Sequence, residues 1–170
     1  YELERRGYTL LAVVIDGKRG IAEVFHDVPV QFCQFHQMQI VRRKLTLRPK
    51  TQAGVELLDV GLHITQYTAE TLRATLQEWY ERHRVFLEEK TFCSYCRKSH
   101  YTHRRVRGAY RSLLRNCDRL FTFQKYPHLT IPNTTNCLDG LFSSLKEKLG
   151  VHRGYTKEKR AKITQTLLGI

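Results

Sequence analysis

Two carboxylates, Asp16 and Asp139, are the residues whose positions most strongly suggest chemistry. Asp16 directly follows an apolar run from Leu10 to Ile15, and Asp139 opens a segment whose leucines recur at helical spacing. The apolar run predicts a strand buried on both faces, and in α/β sheets functional groups gather at the carboxyl ends of such strands. Two carboxylates brought together from distant parts of a sequence can bind divalent cations such as Mg²⁺ or Mn²⁺. These ions stabilise the attacking and leaving oxygens of a phosphoryl transfer.

Each of these acids also has a purely structural interpretation. Asp16 and Gly17 form a common turn dipeptide. Asp139 lies three residues after Asn136, a suitable N-cap, so it also fits a capping-box partner that satisfies backbone donors. Both interpretations stay open at the level of the sequence.

Two groups of cysteines and histidines have the residue types of zinc ligands. Cys33 and His36 form a Cys-x-x-His at the end of a predicted strand, with no matching second pair, so a structural role is the alternative. The other group comprises Cys93, Cys96, His100 and His103. Its spacing is poor for zinc, because a finger leaves about 12 residues between its two ligand pairs.

The net charge of the chain indicates the class of partner that it binds. The chain of 170 residues has 29 Lys and Arg against 16 Asp and Glu, a net charge of +13. Acids are absent from 28–55 and from 92–117, and such basic stretches favour a polyanion, most often nucleic acid, over merely solvated faces. The cations expected to contact phosphates are Arg42, Arg43, Lys44, Arg104, Arg105, Arg107 and Lys146.

The elements that must position these residues follow from periodicity and turn residues. A strand over Tyr8–Ile15, a short helix over Lys18–His26 and a strand over Val30–Phe35 predict a parallel βαβ pair. Further helices are predicted over His36–Leu45, Thr51–Tyr67, Thr68–Lys90, Arg104–Leu114, Leu138–Leu149 and Tyr155–Leu168, with an irregular segment over Phe92–His103 and a loop over Phe121–Asn136. The composition is that of one domain with an ordinary core. No apolar run reaches membrane-spanning length, and the cysteines suit a reducing cytoplasm.

Three segments together resemble the catalytic core of bacterial Mutator-like DDE transposases of insertion sequences. They are Gly7-Tyr8 with the strand ending in Asp16-Gly17-x-x-Gly20, then Gln31-Phe32-Cys33-Gln34-Phe35-His36, and then Asn133-Thr134-Thr135-Asn136-x-x-Asp139-Gly140-x-x-Ser143-x-x-Lys146. The resemblance runs over most of the chain, in the same order. It implies an α/β fold, a partial RNase H-like core with few parallel strands and a large helical insertion from about Thr51 to Gln124, within a single domain.

The resemblance also implies residue roles. Asp16 matches the second catalytic acid and Asp139 the third, and Cys33 and His36 match the Cys-x-x-His signature of the family. The third acid of the family is usually Glu, so the shorter Asp139 changes the reach of that ligand. The first acid lies on a strand upstream of Arg6, so we expect this chain by itself to be inactive or a fragment of a longer active enzyme.

The expected function is therefore metal-dependent DNA cleavage and strand transfer with Mg²⁺ or Mn²⁺, on transposon ends and target DNA, by a homodimer in the bacterial cytoplasm at the nucleoid. The alternative is a non-catalytic basic DNA-binding module, zinc-stabilised through Cys93, Cys96, His100 and His103. Zinc binding with DNA affinity indifferent to Asp16→Asn would favour the alternative.

Overall fold

The computed structural model describes residues 5–18, 20–151 and 154–168, which fall into two compact units, Tyr1–Thr134 and Thr135–Ile170. The described chain is a mostly helical α/β structure with two sheets of two strands each. The strands are β1 (Val13–Ile15), β2 (Val30–Phe32), β3 (Lys90–Cys93) and β4 (Lys98–Tyr101). The helices are α1 (Gln34–Leu45), α2 (Gln52–Leu62), α3 (Ala69–Arg82), α4 (Arg84–Glu88), α5 (Arg104–Leu120), α6 (Thr122–Lys125), α7 (Asn136–Val151) and α8 (Lys157–Leu168). None of these helices is both long and apolar enough to cross a bilayer.

The parallel pair predicted near the start of the chain is present, but it is short. Strands β1 and β2 pair in parallel with Val13 opposite Val30 and Ile15 opposite Phe32. The prediction of a long strand buried on both faces is wrong, because Tyr8 and Leu11 are 61% and 59% exposed and lie before β1. A two-stranded sheet has too little surface to cover the whole apolar run. The helix predicted after Asp16 is a single 3-10 turn, Ala22–Val24, in the described residues.

A helical body, formed by α1, α2, α3 and α5, holds most of the core of the first unit. On the helix predicted from Thr68, the apolar residues at helical spacing Leu72, Leu76 and Trp79 form a buried stripe, with each side chain at most 1% exposed. Burial of one such side chain contributes about 1.5–3 kcal/mol to the free energy of unfolding. Trp79 also donates its indole N–H to the Ala53 carbonyl at 3.1 Å, which joins α3 to α2. Thr68 caps the start of α3, because its hydroxyl accepts the backbone N–H of Thr71.

Two predictions between α3 and α5 are corrected by the structure. The helix expected to run to Lys90 breaks at His83, and α4 follows as a separate short helix. The segment expected to be irregular is an antiparallel hairpin of β3 and β4, with Lys90 opposite Tyr101 and Cys93 opposite Lys98. Its turn lacks the glycine or asparagine that would have signalled a hairpin and instead holds Arg97 at a φ of 50°. The segment expected to be a wholly helical insertion therefore contains strands.

Buried glutamines connect β2 and α1 to α5. Gln31 donates to the Leu120 carbonyl at 2.8 Å and accepts the Phe123 backbone N–H at 3.0 Å. Gln37 accepts from the Asn116 amide at 2.8 Å. Since an amide in the protein interior is tolerated only when it is hydrogen-bonded, these bonds fix α5 against the parallel strand pair.

The second unit contains α7 and α8, close to the helices predicted over Leu138–Leu149 and Tyr155–Leu168. Helix α7 begins at Asn136, which was predicted as its N-cap. On α7, Leu138, Leu141 and Phe142 are 44–48% exposed. The sequence also predicts the end of a helix over Tyr1–Arg6, closed by Gly7, and residues 1–4 of that segment lie outside the described part of the chain.

Candidate active site and nucleic-acid interface

Asp16 lies directly after β1, at the carboxyl end of the parallel pair, and is exposed. Its Oδ1 accepts the backbone N–H of Lys18 at 2.9 Å, and Gly17 has a φ of 77°. A Cβ on residue 17 would also lie 3.3 Å from the Phe32 ring, so glycine is required there on two counts. Asp16 and Gly17 therefore do form a turn, as the structural interpretation predicts. A carboxylate accepts several hydrogen bonds, so one backbone donor leaves Asp16 with capacity for a cation.

The Cys-x-x-His segment adjoins Asp16. The Cys33 backbone N–H donates to the Ile15 carbonyl at 2.8 Å and continues the register of the strand pair, so Cys33 lies beside Asp16 in the adjacent chain segment. Cys33 is 1% exposed and is the residue before α1, and His36 is half-buried in the first turn of that helix. The motif therefore spans a strand-to-helix junction, whereas the sequence placed it within the end of a strand.

Asn133, the first residue of the motif that runs to Lys146, contacts the same junction between β2 and α1. The Gln34 backbone N–H donates to the Asn133 carbonyl at 2.9 Å, and the Asn133 side-chain amide donates to Gln34 Oε1 at 3.0 Å. Gln34 in turn donates to the Leu120 carbonyl at 3.0 Å. Segments 7–20, 31–36 and 133–134 thus meet at the carboxyl edge of the strand pair. The spacing of Gln31, Gln34 and Gln37 was the available signal for this network, but sequence reasoning assigned these residues no role.

Asp139 lies in the first turn of α7, in the second unit, and is exposed. Its Oδ2 accepts the Thr135 hydroxyl at 3.1 Å, and its backbone N–H donates to the Thr135 carbonyl at 2.9 Å. The second bond is the ordinary backbone bond of a first helical turn, and the first joins two side chains, so neither is the bond to a backbone donor that the capping-box interpretation predicts. Asp16 and Asp139 belong to different units, so their sharing of a metal ion stays a prediction.

A cleft of about 450 Å³ opens beside the Asp16 turn, between that turn and α5. Its charged lining residues are Lys18, Glu23, Arg115, Asp118 and Arg119. Both acids form ion pairs within the protein, Glu23 with Arg119 at 3.7 Å and Asp118 with Arg73 at 2.8 Å. Lys18 and Arg115 have no such carboxylate in the described residues, so the cleft favours an anion. Sequence reasoning missed Arg119; the available signal was the four-residue spacing of Arg111, Arg115 and Arg119 on one helix.

The predicted phosphate contacts lie mainly at two helix ends. Arg42, Arg43 and Lys44 occupy the last turn of α1, and Arg104 and Arg105 begin α5, which packs against α1. Lys146 is exposed on α7 in the second unit.

Arg107 differs from the other cations predicted to contact DNA. Its guanidinium lies 3.6 Å from the centroid of the Tyr101 ring and donates to the Leu87 carbonyl. These contacts use the guanidinium to hold the hairpin against α5, which leaves it fewer donors for a phosphate.

The cysteines of the hairpin do not assemble the predicted four-ligand set. The Cys96 backbone N–H donates to Cys93 Sγ at 3.4 Å and lowers the pKa of the Cys93 thiol, and Cys96 Sγ lies 3.3 Å from His100 Nε2. His103 instead contacts Glu89 at 2.7 Å and stacks on the Phe86 ring. Among the described residues, no three or more His, Cys, Asp or Glu side chains are arranged to hold a metal ion.

Comparison of the chain with protein-family models, curated proteins and solved structures gave no match.

Proposed function

We propose that this chain is part of the catalytic core of a DDE transposase that cleaves and joins DNA. The observation that carries the proposal is the meeting of three distant segments at the carboxyl edge of the β1–β2 pair, where Asp16 is exposed. This edge is where α/β folds place their reactive groups. An exposed carboxylate here, beside a cleft whose charged lining comprises three cations and two acids, is suited to chemistry on a phosphodiester.

The fold proposed for this core is RNase H-like, interrupted by an insertion over about 51–124. The parallel pair followed by α1 supports this, as does the return of the chain to the same edge at Asn133 after the helical body. In this arrangement the helices of the insertion pack on α1, and the basic start of α5 contacts DNA together with the basic end of α1.

The proposed site uses oxygen ligands, which are the donors that Mg²⁺ and Mn²⁺ prefer. Asp16 and Asp139 hold the cation. The bound cation supplies charge stabilisation at the scissile phosphate. Arg42, Arg43, Lys44, Arg104 and Arg105, with Lys146 from the second unit, contact phosphates and fix the register of the DNA without reading its sequence. The partners are transposon ends and target DNA, and the working form is a homodimer in the bacterial cytoplasm.

The second candidate is a non-catalytic DNA-binding module. The observation that favours it is the basic surface of α1 and α5, which requires no contribution from Asp16. Zinc is not favoured as its stabiliser, because the described residues do not bring a set of ligands together.

A cleavage assay separates the two candidates. The chain preceded by its natural upstream sequence is incubated with labelled DNA and Mg²⁺ or Mn²⁺, with Asp27→Asn as a control on an exposed acid of the same loop region. We expect Asp16→Asn to reduce cleavage by at least about 10³-fold, because a metal ion contributes several kcal/mol to the transition state. Equal cleavage by Asp16→Asn and wild type would contradict the proposal. DNA binding without metal-dependent cleavage in either protein would favour the binding module.

A further inference from the structure

A concave site lies where the end of α1, the start of α2 and the first turn of α5 meet. Its lining comprises Lys44, Leu45, Thr46, Arg48, Pro49, Lys50, Thr51, Gly54, Arg105 and Val106. We call the four cations of this lining, Lys44, Arg48, Lys50 and Arg105, the cation groove. Two of them, Arg48 and Lys50, lie in the connection between α1 and α2, where no periodicity singled them out.

The charge of the groove has one sign. No acid lines it, and in the described ranges no carboxylate lies within ion-pair distance of any of its four cations. Several arginines elsewhere on the first unit are paired, namely Arg73 with Asp118, Arg82 with Glu56 and Arg84 with Glu88. Four like charges around one concavity repel each other, and an anion relieves that repulsion.

The ammonium group of Lys44 is held in place by the shape of α5. A Cβ on Gly108 would lie 3.1 Å from Lys44 Nζ and 3.6 Å from its Cδ, so the glycine makes room for the lysine along the helix surface. Lys44 is half-buried, which limits its freedom to move toward solvent. A pre-positioned cation loses less side-chain entropy when it binds a ligand than a free surface lysine does.

The helix ends add to the positive potential. Helix α2 begins at the groove, where the Thr51 hydroxyl accepts the Gly54 backbone N–H and the helix dipole places partial positive charge. Arg105 lies in the first turn of α5, which contains no acid. A cation at the positive end of a helix is unfavourable in the free protein, and a bound anion turns the same placement into an attractive one.

We propose that the cation groove binds backbone phosphates of DNA, and this choice of partner rests on the proposed function. Aromatic side chains are absent from its lining, so nothing there stacks on a base. Further cations lie close by in the sequence, Arg42 and Arg43 in the last turn of α1 and Arg104 at the start of α5, as expected for a region that contacts an extended polyanion. Contacts of this kind carry affinity and register but no sequence preference.

The test measures DNA affinity against salt for the full chain and a fluorescent duplex of random sequence. The double variant Lys44→Gln, Arg105→Gln is compared with the control Arg73→Gln, Arg82→Gln, which removes the same charge from paired positions. We expect the groove variant to bind about tenfold more weakly at about 0.1 M salt, and its log–log salt slope to shrink by about 2, since each lost phosphate contact contributes about 0.9. The control should bind like the wild type.

The variant Gly108→Ala tests the groove without changing the net charge of the protein. The added methyl group requires the Lys44 side chain to shift by a few tenths of an ångström, and alanine favours the helix, so affinity should fall slightly while the melting temperature does not. Calorimetric titration with inorganic phosphate distinguishes the source of the phosphate, because a backbone site should show no saturable binding of the free ion.

The outcomes separate this inference from the proposed function. Suppose that the wild type binds DNA and that the groove and control variants lose affinity equally, or that neither loses affinity. Either result would overturn the groove proposal alone. Saturable binding of free phosphate, with DNA affinity unaffected by the groove variant, would also overturn it. A wild-type chain that binds no DNA even at low salt would overturn the DNA partner in both proposals.

Discussion

The buried amide network and the cation groove are two polar regions of the same helices that treat their polar groups in opposite ways. In the network, Gln31, Gln34 and Gln37 are at most 2% exposed, and each is hydrogen-bonded inside the protein. In the groove, four cations have no carboxylate partner in the described residues. Burial without a partner costs a polar group much more than exposure does. We infer that the network serves the fold and that the groove keeps its charge available for a ligand.

The largest effect on stability is expected in the network. Gln31→Leu removes the acceptor for the partly buried Phe123 N–H and one of the two side-chain donors to the Leu120 carbonyl, which keeps only Gln34. We expect a loss of about 3 kcal/mol in the free energy of unfolding, measured by urea denaturation. Gln77→Leu, which removes an exposed bond to Glu81, should change it by less than about 0.5 kcal/mol. Equal losses of stability in Gln31→Leu and Gln77→Leu would contradict the expected difference between buried and exposed amides.

The next effect concerns the wall of the groove. Thr46 has a φ of 66° and a ψ of 176°, a conformation that is essentially restricted to glycine. Thr46→Gly should therefore raise the free energy of unfolding by about 1 kcal/mol, since relief of strain exceeds the entropy cost of a glycine. Thermal denaturation measures this change, and a decrease in stability would show that the groove wall is unstrained.

The smallest effect should come from a paired charge. The hydrogen bond from His83, followed by the one from Gln52, lowers the pKa of Glu56 below 4.5. A lowered carboxylate pKa stabilises the fold above the unfolded pKa, and this contribution is lost as the pH falls through the folded pKa. Because the Glu56 side chain is partly exposed, the contribution is small.

Glu56→Gln should accordingly flatten the decline of stability between about pH 5 and pH 3. The exposed Glu78→Gln on α3 serves as the matched control, and chemical denaturation across this range is the measurement. An unchanged acid profile in Glu56→Gln would mean that the His83 contact contributes nothing in solution.

The sequence predicted best what depends on periodicity and on strand ends. The buried stripe from Leu72 to Trp79 and the parallel pairing next to Asp16 follow directly from apolar spacing. The hairpin was missed because its strands are short and its turn holds Arg97 where glycine is usual.

The candidate site was only partly predictable for a related reason. Buried glutamines look like surface residues in a sequence, since only the fold shows that Gln34 pairs with Asn133. Arg48 and Lys50 lie in a connection without periodicity, so their convergence with Lys44 and Arg105 depends on how α1 and α5 pack.

The central claim, that Asp16 and Asp139 bind one metal site, is tested most directly by paramagnetic broadening of amide signals during a Mn²⁺ titration of this chain. The account predicts that signals of Gly17 and Lys18 broaden together with those of Asp139 and Gly140, at the same Mn²⁺ concentrations. Asp16→Asn should abolish the broadening at both places, and Asp27→Asn should leave it intact. Broadening at Asp139 that persists in Asp16→Asn, or that never reaches Gly17, would contradict a shared site.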